Sequence, residues 1–430
     1  MAMPSMDRVW PGRPRACAFV RVAALLVVAG ACVPGAAWSG ELPPIVTGRS
    51  PVRVWVDQLG YRPGSRKILI VASHSPLPKG ELELLLELTD AKTGKVLWNS
   101  LDHPDALKPF NGGRKDGESG EYVAHLDLSH LKASGRYYVA VRQGDKVERS
   151  CRFTVGDDLY RASALAAWKM LYYNRADTAK PEKHAGPWHH KLSHRGPNQA
   201  TQARVYKWTG RPHWEPVGSE VADPTPRDVS GGWWDAGNFD KYMGNTTICH
   251  NELLLAIQLL GEAAKDGELN IPESGNGIPD VLDEVRYGTE FLLRMADATG
   301  AAFGRVYERP ACPPEADTTP VMLTQTASGA TMNRAAALAY ASIVWQERKL
   351  DPAFARTCMA ASRKSWKLLE ARPHPWPASP KDPSKPAPTG EWFFVNYAEC
   401  RALAAACYFR ATGDKHTTPS SATASRPGTA

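Results

Sequence analysis

The chain has 430 residues, with 52 Lys and Arg against 45 Asp and Glu, a formal charge of +7, and 43% hydrophobic residues. That length accommodates two or more domains, each with its own core. The positive balance is mild and forms no basic run, which argues against a nucleic-acid partner, and no apolar stretch reaches the ~20 residues of a membrane span.

Residues 1–39 read as an export signal. Arg8, Arg13, Arg15 and Arg21 make a basic leader, Val22–Val33 is an apolar run, and Ala37-Trp38-Ser39 sets small residues at the two recognition positions. A secreted or periplasmic protein is expected, cleaved after Ser39. Cys32 ends the apolar run and offers a lipoprotein alternative, against which Ala29 stands where leucine is usual. Without the leader the chain keeps 48 basic and 44 acidic side chains, or +4. Of the six remaining cysteines, Cys151, Cys249, Cys312, Cys358, Cys400 and Cys407, none has metal-type spacing, and buried free thiols are expected.

From Val52 to about Gly156 the pattern is β. Runs at Val52–Val56, Lys67–Ala72, Leu82–Thr89, Tyr122–Leu128, Tyr137–Arg142 and Val147–Val155 are separated by turn residues, which suits a β-sandwich over 52–156. After Asp157 helical periodicity takes over. The predicted helices are Leu159–Asn174, Thr247–Glu262, Ile278–Ala296, Ser328–Trp345, Pro352–Ala371 and Trp392–Ala411. Thr247–Glu262 is apolar nearly all round, the mark of a buried helix. Arg372–Gly390 is a Pro/Lys loop, and residues 415–430 form a Ser/Thr/Pro-rich tail expected to be disordered.

The segment from Asp228 to Tyr242, Asp-Val-Ser-Gly-Gly-Trp-Trp-Asp-Ala-Gly-Asn-Phe-Asp-Lys-Tyr, interrupts the helices. Its Gly-Gly and Ala-Gly pairs disfavour helix and strand, so it reads as a loop presenting Asp235, Asn238 and Asp240 beside Trp233 and Trp234. Aromatic faces stack on sugars, and a carboxylate can activate water or protonate a leaving oxygen. A Gly-rich turn over buried tryptophans has the same signature.

GGWWDAGNFDKY (231–242) resembles the GGW-x-DAGD-x-x-KY segment of glycoside hydrolase family 9, the inverting cellulase family. NGIPDVLDEVRYGTEFLLRM (276–295) is similar to that family's N-x-IPD-x-LDE helix, and DTTP (317–320) followed by ASGATMNRAAALAYAS (327–342) continues the order. VDQLGYRPGSRK (56–67) and LKASGRYY (131–138) resemble the immunoglobulin-like domain that precedes many of these catalytic domains. The resemblance implies a multidomain β plus α chain, an immunoglobulin-like β-sandwich followed at 157–414 by part of an (α/α)6 barrel of twelve helices. About six are present, so the chain is expected to be a truncated member.

The resemblance also implies an inverting mechanism, in which one carboxylate activates water and an acid protonates the glycosidic oxygen. The family's base is the second Asp of DAGD, and the first helps to hold the water. Those positions are Asp235 and Asn238 here, and an amide cannot take a proton at neutral pH. Asp235 is therefore the first candidate base. Asp240 is the alternative, against its reading as a lysine-paired surface residue. Trp233, Trp234 and Tyr242 are candidate subsite walls, with core packing as the competing reading.

The family's acid, a glutamate in an Asn-Glu motif near the C-terminus, has no counterpart here; Asn251-Glu252 lies in an early helix. The expected substrate is a β-1,4-linked glucan or cello-oligosaccharide, and the chain as given is expected to be inactive. A non-catalytic glycan-binding remnant, or a hydrolase of chito-oligosaccharides or β-glucosaminides, are the alternatives. No cofactor is required. His184, His189, His190 and His194 cluster before the loop, and the resemblance admits a structural calcium or zinc ion. Gly186-Pro187 and Gly196-Pro197 favour a loop rather than a zinc-bearing helix, so no metal ligand is assigned.

Overall fold

The computed structural model describes residues 52–77, 84–143, 146–206, 221–261, 264–309, 311–376 and 397–414. The export signal and the 415–430 tail lie outside the described residues. The chain divides into two compact units, Met1–Ser163 and Ala164–Ala430.

The first unit is a β-sandwich. Its strands are β1 (Val52–Trp55), β2 (Ile68–Ser73), β3 (Leu85–Asp90), β4 (Val96–Asn99), β5 (Leu107–Pro109), β6 (Tyr122–Asp127), β7 (Gly135–Gln143), β8 (Lys146–Arg149) and β9 (Phe153–Val155). One sheet has the order β1-β2-β6-β5; the other is β4-β3-β7-β8, with β9 also pairing β7. Alternation sends Leu69, Val71, Ala124 and Leu126 of one sheet inward against Leu86, Leu88, Val139 and Val141 of the other. Strands β4 and β5 were not anticipated, and the run at Val147–Val155 is two strands. Short strands of three or four residues carry too little alternation to be recognised.

The VDQLGYRPGSRK segment has physical reasons for its residues. A Cβ on Gly60, at φ +106°, would lie 2.1 Å from the Thr154 carbonyl oxygen, so only glycine lets the chain pass β9 there. Tyr61 then stacks edge-on against Phe153 at 5.5 Å. The buried Lys67 ammonium donates to the Pro63 and Ser65 carbonyls at 2.9 and 3.0 Å, which satisfies its charge with the turn that precedes it.

The second unit contains α1 (Arg161–Asn174, which begins at the unit boundary), α2 (Glu182–Ala185), α3 (Met243–Leu260), α4 (Asp280–Arg294), α5 (Ser328–Arg348), α6 (Pro352–Ala371) and α7 (Tyr397–Thr412). A small sheet of β10 (Ala203–Tyr206), β11 (Val221–Arg227), β12 (Lys241–Tyr242), β13 (Arg305–Tyr307) and β14 (Met322–Leu323) has the order β11-β10-β14-β13-β12. This sheet was not anticipated either, because its strands are short and separated by whole helices. The alanine-rich α5 is the centre of the unit. It packs on α3, α6 and α7, and small side chains let the axes approach. Helix α6 starts on Pro352 with Asp351 as its cap, whose carboxylate accepts from the Phe354 N–H at 2.9 Å.

The predicted buried helix Thr247–Glu262 corresponds to α3, which is buried on one face only. Helix α3 turns Met243, His250, Leu253, Leu254 and Ile257 inward but leaves Ile248, Leu255 and Leu259 on its outer face, Leu259 at 79% exposure. The sequence is apolar on both sides while the described residues cover one. Exposed leucines aligned along three turns are a self-association surface. Sedimentation of the 430-residue chain should show oligomers or aggregates, and Leu255→Glu with Leu259→Glu should shift the population toward monomer. A wild-type protein that stays monodisperse and monomeric at the same concentration contradicts this.

Candidate active site

The Gly-Gly-Trp-Trp loop is strapped against α1 and α4. The Ala176 N–H donates to the Gly232 carbonyl at 2.8 Å, and the Trp234 N–H to that of Asn174 at 2.9 Å. Gly232 has φ +74°, and a Cβ there would meet the Phe291 ring at 2.7 Å; a Cβ on Gly288 of α4 would meet the Trp233 ring at 2.2 Å. The glycines therefore let backbone and indole lie directly on the helix. From Asp235 the chain makes a tight turn and returns, closed by the Asp235 N–H to the Asp240 carbonyl at 2.8 Å. Phe239 holds φ +59° at its corner, a costly conformation for a bulky residue. Its ring stacks on Trp234, centroids 4.5 Å apart and 23° between planes.

Along this loop the candidate residues separate. Asp235 is exposed, and its carboxylate accepts from the Asn245 amide of α3. Asn238 is half-buried and donates from Nδ2 to Asp240 Oδ2 at 2.6 Å. Among the described residues, the carbonyl oxygens of Asn238 and Asn245 accept no hydrogen bond. Asp240 is not a lysine-paired surface residue: it is fully buried, ion-paired to Arg305 and hydrogen-bonded by Tyr242 Oη at 3.0 Å. Burial outweighs Arg305 and pushes its pKa up to about 6. Trp233, Trp234 and Tyr242 all lie inside the fold, at 5%, 7% and 3% exposure. The indole N–H of Trp234 donates to Glu308 at 2.8 Å, and that of Trp233 points at Glu284 at 3.4 Å.

Beneath the loop lies a buried charge cluster. The Lys241 ammonium bonds Asp177 at 2.5 Å and Glu308 at 2.9 Å. His194 stands 3.7 Å from Asp177, 3.5 Å from Glu308 and, through Nε2, 3.5 Å from Asp317. Among the described residues, Asp177, His194 and Glu308 form the one group of metal-type donors, all within 4.8 Å of one another. The fit to a metal is poor, because Lys241 already supplies a cation to both carboxylates. The 189–194 stretch is a loop, as its glycine-proline flanks imply, and His190 and His194 both lie against the Trp234 ring.

Asp283 and Glu284 of α4 are both buried. Glu284 is ion-paired to buried Arg175 at 3.0 Å, and Asp283 accepts from Asn276 at 3.2 Å. Asp280, in the first turn of α4, accepts from the Gly267 and Leu269 N–H groups at 2.9 and 2.6 Å. The described cysteines form no disulfide, and Cys151, Cys249 and Cys312 are exposed where burial was expected for most of the six.

Burial raises Asp177 and Asp283 to about 7 and Asp240 to about 6, and lowers His250 to about 4. A raised carboxylate binds its proton more tightly in the fold than in the unfolded chain. Its stabilisation is full near pH 4 and lost as pH rises through its folded value. His250 acts in the opposite sense, as do His130, His190 and His194, which burial also lowers, and Lys180, which burial lowers to about 7. The carboxylate contribution is read by difference: the melting-temperature gap between wild type and Asp283→Asn should fall from about pH 5 to about pH 7.5, and a gap that does not change with pH contradicts the raised value of Asp283.

Asn245, Arg305, Glu308 and Asp177 were not singled out from the sequence. Asn245 follows the loop directly in the first turn of α3, whereas Asp177, Arg305 and Glu308 come from segments distant from it, and nothing in local spacing ties those three to it. The signal that was available is Lys241, a charged residue inside a motif of glycines and aromatics, which implies buried acidic partners.

Two family models match the chain: cellulase N-terminal ig-like domain over residues 49–146 and glycosyl hydrolase family 9 over residues 160–427. A cellulose 1,4-beta-cellobiosidase of Acetivibrio thermocellus is 28% identical over 389 residues, covering 84% of this chain and 41% of the relative. Endoglucanase C of Cellulomonas fimi is 28% identical over 341 residues, 75% of this chain and 28% of the relative. A xyloglucan-specific endo-beta-1,4-glucanase of Bacteroides ovatus is 27% identical over 326 residues, 74% of this chain and 50% of the relative. The chain thus spans half or less of each of these relatives. The crystal structure of a metagenome-derived glycoside hydrolase family 9 endoglucanase superimposes with a TM-score of 0.65 at 28% identity, over 85% of this chain and 62% of that one. No helix among the described residues is long and apolar enough to cross a membrane. With the catalytic-domain match covering more than half of its length, the chain belongs to glycosyl hydrolase family 9.

Proposed function

We propose that the protein is an exported β-1,4-glucan hydrolase of the inverting type, with Asp235 as the base that activates the attacking water. The observation that supports this is the contrast among the three motif positions: of Asp235, Asn238 and Asp240, Asp235 alone is an exposed carboxylate, while Asp240 is locked against Arg305 and Asn238 cannot accept a proton. Asn238 holds its donor on Asp240 and keeps its carbonyl oxygen as an acceptor, so it can orient a water but not deprotonate it. Asn245 fixes the rotamer of Asp235. Trp234, buried and stacked on Phe239, packs inside the fold rather than forming a wall for sugar.

The acid partner has no candidate on the Asn-Glu pattern, and Asn251-Glu252 lies on α3. The 430-residue chain is accordingly proposed to be inactive on cellulose by itself. Hydrolysis of a soluble β-1,4-glucan by the purified chain, with inversion followed by NMR of the released anomer, overturns that part of the reading. The relatives' names differ in sugar and in mode of cutting, so glucan, xyloglucan and cello-oligosaccharide are to be compared as substrates.

No cofactor enters the proposed chemistry. With Lys241 serving as the internal cation of the Asp177–Glu308 cluster, neither EDTA nor added zinc should move the melting temperature. A clear upward shift with zinc would show that His194 and its neighbours do take a metal.

A further inference from the structure

The outward face of the β1-β2-β6-β5 sheet carries aromatic rings in one row. Register sets Trp55 opposite Ile70, Ile70 opposite His125, and His125 opposite Lys108. The alternate residues Val54, Leu69, Val71 and Leu126 are buried in the sandwich, so this row points away from its core. Trp55 is 54% exposed and Phe110 42% exposed. Phe110 lies on His125 with ring centroids 5.4 Å apart. The Arg53 guanidinium sits 5.6 Å from the Trp55 ring centroid and is ion-paired to Glu121, which fixes the indole in place.

Two exposed, held aromatic platforms are separated by two strand steps. Adjacent strands lie 4.7–4.9 Å apart, so the Trp55 and His125 backbones are about 9–10 Å apart. That matches the run of two sugars in an extended β-1,4 chain. A β-linked glucose ring offers C–H groups on its faces, which stack on aromatic rings, and hydroxyls at its edge, which Arg53, Glu121 and Lys108 can bond. The sheet's twist of roughly 20–25° per strand turns the second platform by about 40–50° from the first. A flat crystalline surface cannot meet both, whereas a single free chain can rotate along its length to do so. Two rings also fall far short of the ~800 Å² that each side of a stable protein interface buries, which favours a narrow ligand over a protein.

We propose that this face of the β-sandwich is a binding site for a single β-1,4-linked glucan chain, separate from the loop that carries Asp235. The choice of glucan rests on the proposed function of the helical unit; the geometry of the site does not.

The test is native electrophoresis of the full 430-residue chain in gels with and without soluble hydroxyethyl cellulose, with the polymer-free gel as the reference for each protein. Trp55→Ala and Phe110→Ala are compared with Val147→Ala, an exposed residue of the other sheet. Wild type and Val147→Ala should be retarded equally, and the two aromatic variants should lose about threefold to tenfold in affinity with unchanged melting temperature. If Trp55→Ala does not fold, Phe110→Ala and His125→Ala carry the test. No retardation of wild type overturns the proposal, and so does equal retardation of all variants, which would place the glucan elsewhere on the chain. Pull-down by crystalline cellulose as strong as binding to the soluble polymer overturns the single-chain assignment. Because the readout is binding without turnover, loss of retardation in Trp55→Ala upholds this site even if no form of the enzyme hydrolyses glucan, and hydrolysis with no effect of Trp55→Ala defeats this site alone.

Discussion

Asp235→Ala, in a chain joined to the C-terminal half of a family 9 barrel, should lower turnover of a β-1,4-glucan by about 10²–10⁴, the usual cost of removing a catalytic base. The side chain is exposed and, among the described residues, is held by Asn245, so its loss should leave the melting temperature nearly unchanged. That combination separates a catalytic role from a structural one. Turnover within a few-fold of wild type would refute the assignment. Asn238→Asp is the informative companion. It would set a second carboxylate where the Asn238 amide now donates to Asp240 at 2.6 Å, and like charges so close share a proton. Any gain in rate should therefore grow as pH rises and the pair loses that proton. A fall at every pH would mean that Asn238 belongs to a working arrangement of its own.

Arg305→Met should destabilise the helical unit by about 3–5 kcal/mol, the range for leaving one member of a buried ion pair uncompensated. Asp240 and Arg305 are both fully buried side chains, and the guanidinium also lies 4.8 Å from the Tyr242 ring and 5.1 Å from that of Tyr307. Removing the charge on both sides, Asp240→Asn with Arg305→Met, should recover a large part of the loss. Denaturant unfolding of the two single variants and the double variant measures the coupling. A cost below about 1 kcal/mol for Arg305→Met would show that Asp240 is protonated in the fold and needs no counter-charge.

What could be read from the chain depended on how local the cause was. The β-to-α change near residue 157, the helices and the loop character of Asp228–Tyr242 follow from periodicity and from glycines in adjacent positions, and the structure contains them. The small sheet β11-β10-β14-β13-β12 joins segments from residue 203 to residue 323, and its strands are two to seven residues long. No alternation that short has a signal of its own. The same holds for the loop's polar residues. Whether Asp240 faces water or Arg305 is decided by β13, sixty-five residues away, not by Asn-Phe-Asp-Lys-Tyr. Trp233 and Trp234 had two readings in the sequence, sugar stacking and core packing, and Gly288 shows why packing prevails for Trp233: the helix has been hollowed where the indole rests.

The Lys241 ammonium between Asp177 and Glu308 has a consequence for how this part of the molecule is made. A cluster neutralised by a captured ion owes its stability to the ion's concentration, since binding contributes RT ln(1 + [L]/Kd) and fades on dilution. A cation attached to the chain is never diluted. Its association with the two carboxylates is one more loop closure, whose entropic cost depends on chain length alone. Asp177 and Glu308 therefore draw on a counter-charge whose supply does not depend on the composition of the surroundings.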